Sequence, residues 1–453
     1  DGVRGIANLE LTPELAFDLG KAGATVLSQE RNERPVFVVG MDTRRSGDLL
    51  ENAISAGILA VGGDVIKVGI LPTPAVAYLV RHYDADAGIV ISASHNPYEY
   101  NGIKLFKTLS KILPHTDFHY ASTEAEIEEA IEDIILRHID TNNHVTHDQV
   151  GRVREADKGG LEVYVNYLVS KADYNFKNRK IILDCANGAA FDVAPKVFEI
   201  LGAKVISIGN SPNGVNINLN CGSTQPRKLQ EKVISEGAFM GLAFDGDADR
   251  LIAVDEKGRI IDGDKLICIC AKMLKDEGSL GNGVVTGTLM SNLGFHKYIR
   301  ELGCETRSTN VGDRYVLEDM LKTGSLLGGE QSGHIIFRSY STTGDGILAG
   351  IQVAGAVIKS GKTASEVSDE IKIYPQVLKN ARVDSKNKLK YENDREMQAI
   401  FQKTEKRLEG RGRLLIRPSG TEPLVRVMIE GDDIGEITKL AEELALLLTK
   451  KFG

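Results

Sequence analysis

The sequence predicts an α/β protein, with three related mixed α/β domains followed by a smaller C-terminal α+β domain. Three observations carry this expectation. At 453 residues the chain has room for about three or four domains of roughly 100–200 residues each. Short β-branched runs alternate with helical stretches, which implies mostly parallel sheets covered by helices. The same strand–turn–helix grammar restarts twice, as a repeat of pattern and not of residues.

Taken in order, Thr12 can cap a first helix and Pro13 suits its first turn, with Leu15, Leu19 and Val26 on one face. Val36 to Val39 reads as a strand ending in a polar turn, Met41 to Gly47, and Val65 to Val68 and Gly88 to Ile91 read as further buried strands. The pattern restarts at Lys180 to Leu183, which runs into Asp184-Cys185-Ala186-Asn187-Gly188 and a helix, and again at Val284 to Thr288, before Met290-Ser291-Asn292. Near the end, Leu414 to Arg417 and Leu424 to Ile429 suit strands, and Ile437, Leu440, Leu444 and Leu448 line one face of a closing helix. Residues 110–150, rich in His, Glu, Asp and Asn, suit a surface helix and connector. Residues 372–392, with Pro375 and many Lys and Asn, suit a linker. The domains are expected at residues 1–153, 154–256, 257–372 and 373–453.

Composition narrows the function. Hydrophobic residues make up 42% and charged residues 26%, and the net charge is −8 without a basic block. This argues against a nucleic-acid partner, since phosphate backbones attract clustered Lys and Arg. Five scattered cysteines, an odd number, argue against a disulfide framework and for a reducing, cytoplasmic setting. Cys268 and Cys270 lack the second pair a metal site would need. No 18-residue apolar run is present, so no membrane span is expected; nor does any stretch read as a secretory signal.

Four loops carry the chemistry. Ser92-Ala93-Ser94-His95-Asn96-Pro97 follows the strand ending at Ile91, where α/β folds place ligands. Ser94 suits a nucleophile, with His95 and Lys104 as proton carriers; the plain alternative is an Asn-Pro turn with a capping serine. In Asp245-Gly246-Asp247-Ala248-Asp249-Arg250, three alternate carboxylates would repel one another unless a cation sits among them. Oxygen ligands favour a hard ion, Mg²⁺ before Ca²⁺ or Mn²⁺. An EF-hand reading would use Glu256 as twelfth residue, and a solvated acidic turn is the other alternative. Removal of Asp247 is expected to relieve like-charge repulsion in the metal-free protein. The third loop, Gly328-Gly329-Glu330-Gln331-Ser332-Gly333-His334, offers groups for sugar hydroxyls or simply a tight turn. The fourth, Arg417-Pro418-Ser419-Gly420-Thr421-Glu422-Pro423 with Arg426 beyond, has the parts of a phosphate cradle or of a proline-bounded hairpin.

Together with Asp1-Gly2-Val3-Arg4-Gly5 at the start, these loops resemble the α-D-phosphohexomutase superfamily in order and spacing over essentially the whole chain. The Gln331 form of the third loop is similar to the bacterial phosphoglucosamine mutase branch. The resemblance implies four domains around a central cleft and a phosphoserine at Ser94. It implies Mg²⁺ held by Asp245, Asp247 and Asp249, with a phosphate oxygen on Ser94 completing the site. Arg4, Lys104 and Arg250 would lie near the reacting phosphate, with Lys104 or His95 as general acid/base. Glu330 and Ser332 would bind sugar hydroxyls; Arg417, Ser419, Gly420, Thr421 and Arg426 would bind the non-reacting phosphate. One stretch departs from the family pattern: Leu109 to His115 and Asp117 to Tyr120 intervene before an acidic helix near Glu124.

Two phosphate sites argue for a mutase over a hydrolase, which needs only one. The implied reaction interconverts glucosamine 6-phosphate and glucosamine 1-phosphate, feeding amino-sugar nucleotide and cell-wall precursor synthesis. Glucosamine 1,6-bisphosphate would be its intermediate and priming cofactor. The intermediate must turn end over end, so the last domain is expected to move about a hinge near 372–380. The rivals are an enzyme for mannose or glucose phosphates, a non-catalytic phosphosugar-binding protein, and a metal-dependent phosphatase. The expected partner is a small phosphosugar, with no nucleic acid and no membrane; a homodimer is allowed.

Overall fold

The computed structural model describes residues 2–31, 34–107, 145–156, 159–419 and 422–453. The departing segment at 109–120, the acidic helix near Glu124, Gly420 and Thr421 lie outside these residues.

The described chain forms two compact units: residues 1–290 with 302–370, and residues 291–301 with 371–453. The first unit holds three sheets. The six-stranded sheet runs Val3–Ile6, Tyr100–Lys107, Ala87–Ile91, Val36–Met41, Asp64–Ile70, Val153–Glu155. Its last four strands are mutually parallel. The helix Pro13–Arg31 begins as the sequence predicts, with the Leu15 N–H donating to Thr12 Oγ1 at 3.2 Å. Leu11, Phe37, Val39, Ile54, Ile58 and Ile89 fill the core beneath it. The five-stranded sheet places Met240–Phe244 parallel to Lys180–Asp184 and antiparallel to Leu251–Val254. The four-stranded sheet pairs Val284–Thr288 in parallel with Glu305–Thr309 and Leu327–Gly329, and closes with antiparallel Ile335–Phe337.

The second unit is an antiparallel sheet, Gln376–Arg382, Leu424–Gly431, Gly412–Pro418, covered by the helices Arg395–Leu408 and Ile434–Phe452. The stretch expected as a linker therefore contains an edge strand, Gln376–Arg382, and two 3-10 turns. Only Ala381 on that strand is fully buried, so its polar residues read as connector. The helix Leu293–Glu301 joins this unit through buried Glu430. The Leu293 N–H donates to Glu430 Oε2 at 2.9 Å, and Arg413 Nε pairs with the same carboxylate at 2.7 Å. A carboxylate at a helix N-terminus meets the positive end of its dipole.

Buried Asp345 caps the helix Gly346–Ser360, accepting the Leu348 N–H at 2.9 Å and the Tyr164 O–H at 2.6 Å. Burial pushes its carboxyl up to about 6 despite those donors. The folded state therefore holds this proton more tightly than the unfolded chain, whose value is 3.8. Stability should fall as pH rises from about 4 to 6, by up to about 3 kcal/mol from this group. Asp345→Asn cannot ionise; its single Oδ1 can still accept the Leu348 N–H, while its Nδ2 donates toward the Tyr164 hydroxyl oxygen. Thermal midpoints across pH 4–7 should thus fall less for the variant than for wild type; parallel curves would refute the assignment.

Candidate active site

The Ser94 loop leaves the sheet at Ile91 and turns sharply: Ser94 has φ +51°, a left-handed conformation uncommon outside glycine. A buried frame holds it there. The Ser94 N–H donates to Ser92 Oγ at 2.9 Å, and the Ser92 O–H donates to Asp42 Oδ2 at 2.6 Å. Arg44 binds the same Asp42 oxygen through Nε at 2.9 Å and donates through Nη2 to the carbonyls of Ser94 and Asn96, each at 2.9 Å. Its Nη1 reaches the Pro97 carbonyl at 2.5 Å. From the other side Asn218 Nδ2 donates to the Ser94 and Asn96 carbonyls at 2.9 and 3.0 Å. Gly246 of the aspartate loop packs so closely that a Cβ there would stand 2.5 Å from the Ser94 carbonyl oxygen, so glycine is required.

The aspartate loop joins the antiparallel strands Met240–Phe244 and Leu251–Val254. It places one oxygen each of Asp245, Asp247 and Asp249 within 4.8 Å of one another, all three residues buried. The Ser94 O–H donates to Asp245 Oδ2 at 2.6 Å. Asp247 Oδ2 accepts from Lys104 Nζ and Thr73 Oγ1, both at 2.8 Å, and Asp249 lies 3.6 Å from Lys104. Asp247 Oδ1 and Asp249 Oδ1 are buried without a hydrogen-bond partner, Asp249 Oδ1 having only Arg250 Nε at 3.8 Å, a costly state for an anion. Oxygen-only donors with two orphaned atoms fit a hard divalent cation. The loop is neither an EF-hand nor a solvated turn: Glu256 is committed to Ser365, accepting its N–H at 3.0 Å and its O–H at 2.5 Å.

Charge is unevenly shared. Burial, then Asp249 and Asp247, push the Asp245 carboxyl well above its usual range. Burial would raise Asp247 too, but Lys104 and Thr73 hold it below. Loss of Asp247 would relieve one repulsion on Asp245, as expected, but it would also strip Lys104 of its nearest counter-charge. Burial would lower the Lys104 ammonium, yet Asp247 and Asp249 keep it raised, so it carries a positive charge beside the two carboxylates. Burial, Arg250 and Arg4 lower the His95 imidazole. Its Nδ1 lies 3.2 Å from Arg250 Nη1, an obligate donor, and 3.5 Å from Ser94 Oγ.

The third loop is the turn between Leu327–Gly329 and Ile335–Phe337. It is stitched to the aspartate loop, the Leu251 N–H donating to the Gly333 carbonyl at 2.9 Å. Gly333 has φ +97°, and a Cβ on it would lie 2.1 Å from the Leu251 carbonyl oxygen. The Gly312 N–H donates to Glu330 Oε1 at 3.1 Å. Within the first unit, Arg4, Ser94, Lys104, Asp249, Arg250, Glu330 and Ser332 line one cavity of about 710 Å³.

In the second unit, Arg417 and Arg426 stand opposite each other on neighbouring strands, an arrangement like charges disfavour. Burial and then Arg426 lower the Arg417 guanidinium. Arg426 Nε is buried without a partner, and Glu422 lies 3.3 Å from Arg426 Nη2. Ser419 is buried beside them. The pair suits an anion.

Sequence reasoning missed Asp42, Arg44, Thr73 and Asn218. A signal was present for the first two: Met41 to Gly47 is a polar turn after a strand neighbouring that of Ser94.

Four descriptions of the phosphoglucomutase/phosphomannomutase family match in sequence: alpha/beta/alpha domain I at residues 1–137, domain II at 162–258, domain III at 262–374 and the C-terminal domain at 378–447. The chain belongs to this family. Phosphoglucosamine mutase of Alkaliphilus oremlandii is 50% identical over 453 residues, covering 100% of this chain and 98% of the relative. Among solved structures, a phosphoglucomutase/phosphomannomutase family protein of Burkholderia thailandensis has a TM-score of 0.80 at 22% identity, covering 99% and 96% of the two chains. Aspergillus fumigatus N-acetylphosphoglucosamine mutase, solved with GlcNAc-6P and magnesium, has a TM-score of 0.66 at 20% identity, covering 95% and 80%. These two structures share the phosphohexomutase fold.

The frame makes a prediction of its own. Arg44→Lys keeps the buried positive charge but cannot fork between Asp42 and three carbonyls. It should lower kcat by roughly 10- to 100-fold, as loss of one or two charge-assisted bonds implies, with KM little changed. Unaltered turnover in a folded variant would show that the frame does not position Ser94.

Proposed function

We propose that this protein is a phosphoglucosamine mutase that interconverts glucosamine 6-phosphate and glucosamine 1-phosphate through a phosphoserine at Ser94. The observation that carries the reading is the Ser94 hydroxyl, buried in a strained turn 2.6 Å from the aspartate cluster and opening on a cavity with Arg4, Lys104 and Arg250. The 50% identity to a named phosphoglucosamine mutase over the full chain supports the choice of sugar.

Phosphoryl transfer is mostly positioning and charge neutralisation. With phosphate on Ser94, O1 of bound glucosamine 6-phosphate attacks phosphorus, the bond to Ser94 Oγ breaks, and glucosamine 1,6-bisphosphate forms. After reorientation, the 6-phosphate returns to Ser94 and glucosamine 1-phosphate leaves. Asp245, Asp247 and Asp249 would hold Mg²⁺, which supplies charge for the transferring phosphoryl oxygens. Arg250, Arg4 and Lys104 add fixed positive charge there, and neutral His95 is the group suited to accept the hydroxyl proton. Glu330 and Ser332 serve sugar hydroxyls. In the second unit Arg417, Ser419 and Arg426, with Gly420 and Thr421 of the same loop, serve the phosphate that is not reacting. A second anion site is what a hydrolase lacks. A cytoplasmic setting is part of the proposal, resting on the reading as an enzyme of phosphosugar metabolism; no helix among the described residues is long and apolar enough to cross a membrane. The four functional domains are placed at 1–153, 154–256, 257–372 and 373–453.

Mass spectrometry of active protein should find phosphate on Ser94, and Ser94→Ala should lose orders of magnitude in rate. Among the 6-phosphates of glucosamine, glucose and mannose, glucosamine 6-phosphate should give the highest kcat/KM. Full activity in Ser94→Ala, or phosphate only on Ser92, would overturn the mechanism.

A further inference from the structure

The cavity that holds Ser94 has a feature the reaction as proposed does not use. Among its described lining residues, three carboxylates are present: Asp249, Glu330 and Asp313. Asp249 belongs to the cation cluster and lies near Lys104 and Arg250. Glu330 spends one oxygen on the Gly312 N–H. Asp313 opens the helix Asp313–Thr323, directly after Gly312, and its Oδ1 accepts the Arg314 N–H at 2.9 Å. Its Oδ2 lies 3.7 Å from His334 Nε2. That nitrogen, however, already accepts the Gly344 N–H at 3.2 Å with its one in-plane lone pair, so it has no proton to give Asp313. Among the described residues no ion pair joins Asp313 to a lysine or arginine; burial would raise its carboxyl, but the positive field around it, Lys104 included, holds it lower. Its side chain is 48% exposed.

A carboxylate that no lysine or arginine pairs with directly, half open to a cavity that takes a sugar, is suited to a positive group on that sugar. Glucosamine phosphates differ from glucose phosphates by one such group, the 2-amine, which takes up a proton near neutral pH. The Gly312 N–H bond ties Glu330 to the residue just before Asp313, and both acids line the same cavity. This division gives Glu330 the hydroxyls and leaves Asp313 for the charge. We propose that Asp313 receives the 2-ammonium of the amino sugar and thereby favours glucosamine over glucose phosphates; this deepens, and rests on, the reading of the protein as a phosphoglucosamine mutase.

The test is Asp313→Asn, which keeps the acceptor for the Arg314 N–H and removes the charge. kcat/KM is measured with glucosamine 6-phosphate and glucose 6-phosphate, and binding of both sugars is measured by calorimetry in Ser94→Ala with and without Asp313→Asn. For glucosamine 6-phosphate, both kcat/KM and affinity should fall roughly 10- to 150-fold, the range of one charge-assisted contact. Values for glucose 6-phosphate should change less than about threefold, since that sugar offers no charge. Equal losses for both sugars would give Asp313 a general structural or catalytic role, and no loss for either would leave it idle; each overturns the proposal. If wild type itself does not turn over glucosamine 6-phosphate, the functional reading fails first, and the binding comparison still judges Asp313.

Discussion

Three carboxylates buried on one loop are the constraint on which the rest of the first unit depends. Taking charge out of water is expensive, and like charges in one pocket add to the cost. The surroundings of Asp245, Asp247 and Asp249 can be understood as offsets to that cost. Lys104 reaches in from the neighbouring sheet to Asp247 and Asp249, Thr73 donates to Asp247, and the Ser94 hydroxyl donates to Asp245. The offsets are incomplete, since one oxygen each of Asp247 and Asp249 stays unpartnered. A cation would complete them, which couples metal, nucleophile and lysine in one electrostatic unit.

The same economy explains the geometry of the nucleophile. A left-handed serine persists only where its neighbours determine it. Arg44 supplies forked donors to three successive parts of the loop, Asn218 repeats two of those contacts from another sheet, and Gly246 closes against the carbonyl. The serine is thus tied to the aspartate loop by backbone packing as well as by its hydroxyl. In the second unit the facing Arg417 and Arg426 present the opposite problem, two positive charges with one exposed carboxylate, Glu422, against Arg426.

Much of this was legible in the sequence. Alternation of strands and helices gave the parallel sheets, and the three alternate aspartates pointed to a cluster able to hold a cation, which the fold gathers and buries. The Ser94 loop was legible because it follows a strand end. The supporting frame was not: Arg44 and Thr73 act through contacts with segments far along the chain, and one sequence does not list which carbonyls a guanidinium will meet. Gln376–Arg382 was hidden for a different reason, since an edge strand with one buried residue has the composition of a connector. The surroundings of Asp247 were half legible: its repulsion of Asp245 follows from the spacing, whereas its pairing with Lys104, 143 residues away, does not.

The central claim is that the aspartates form a cation site whose balance depends on Asp247. Calorimetric titration of Mg²⁺ into wild type and into Asp247→Ala tests it most directly. The account predicts one binding event in wild type that is lost or weakened at least about tenfold in the variant, about 1.4 kcal/mol or more. Equal affinity in both proteins, or no binding to wild type, would contradict it.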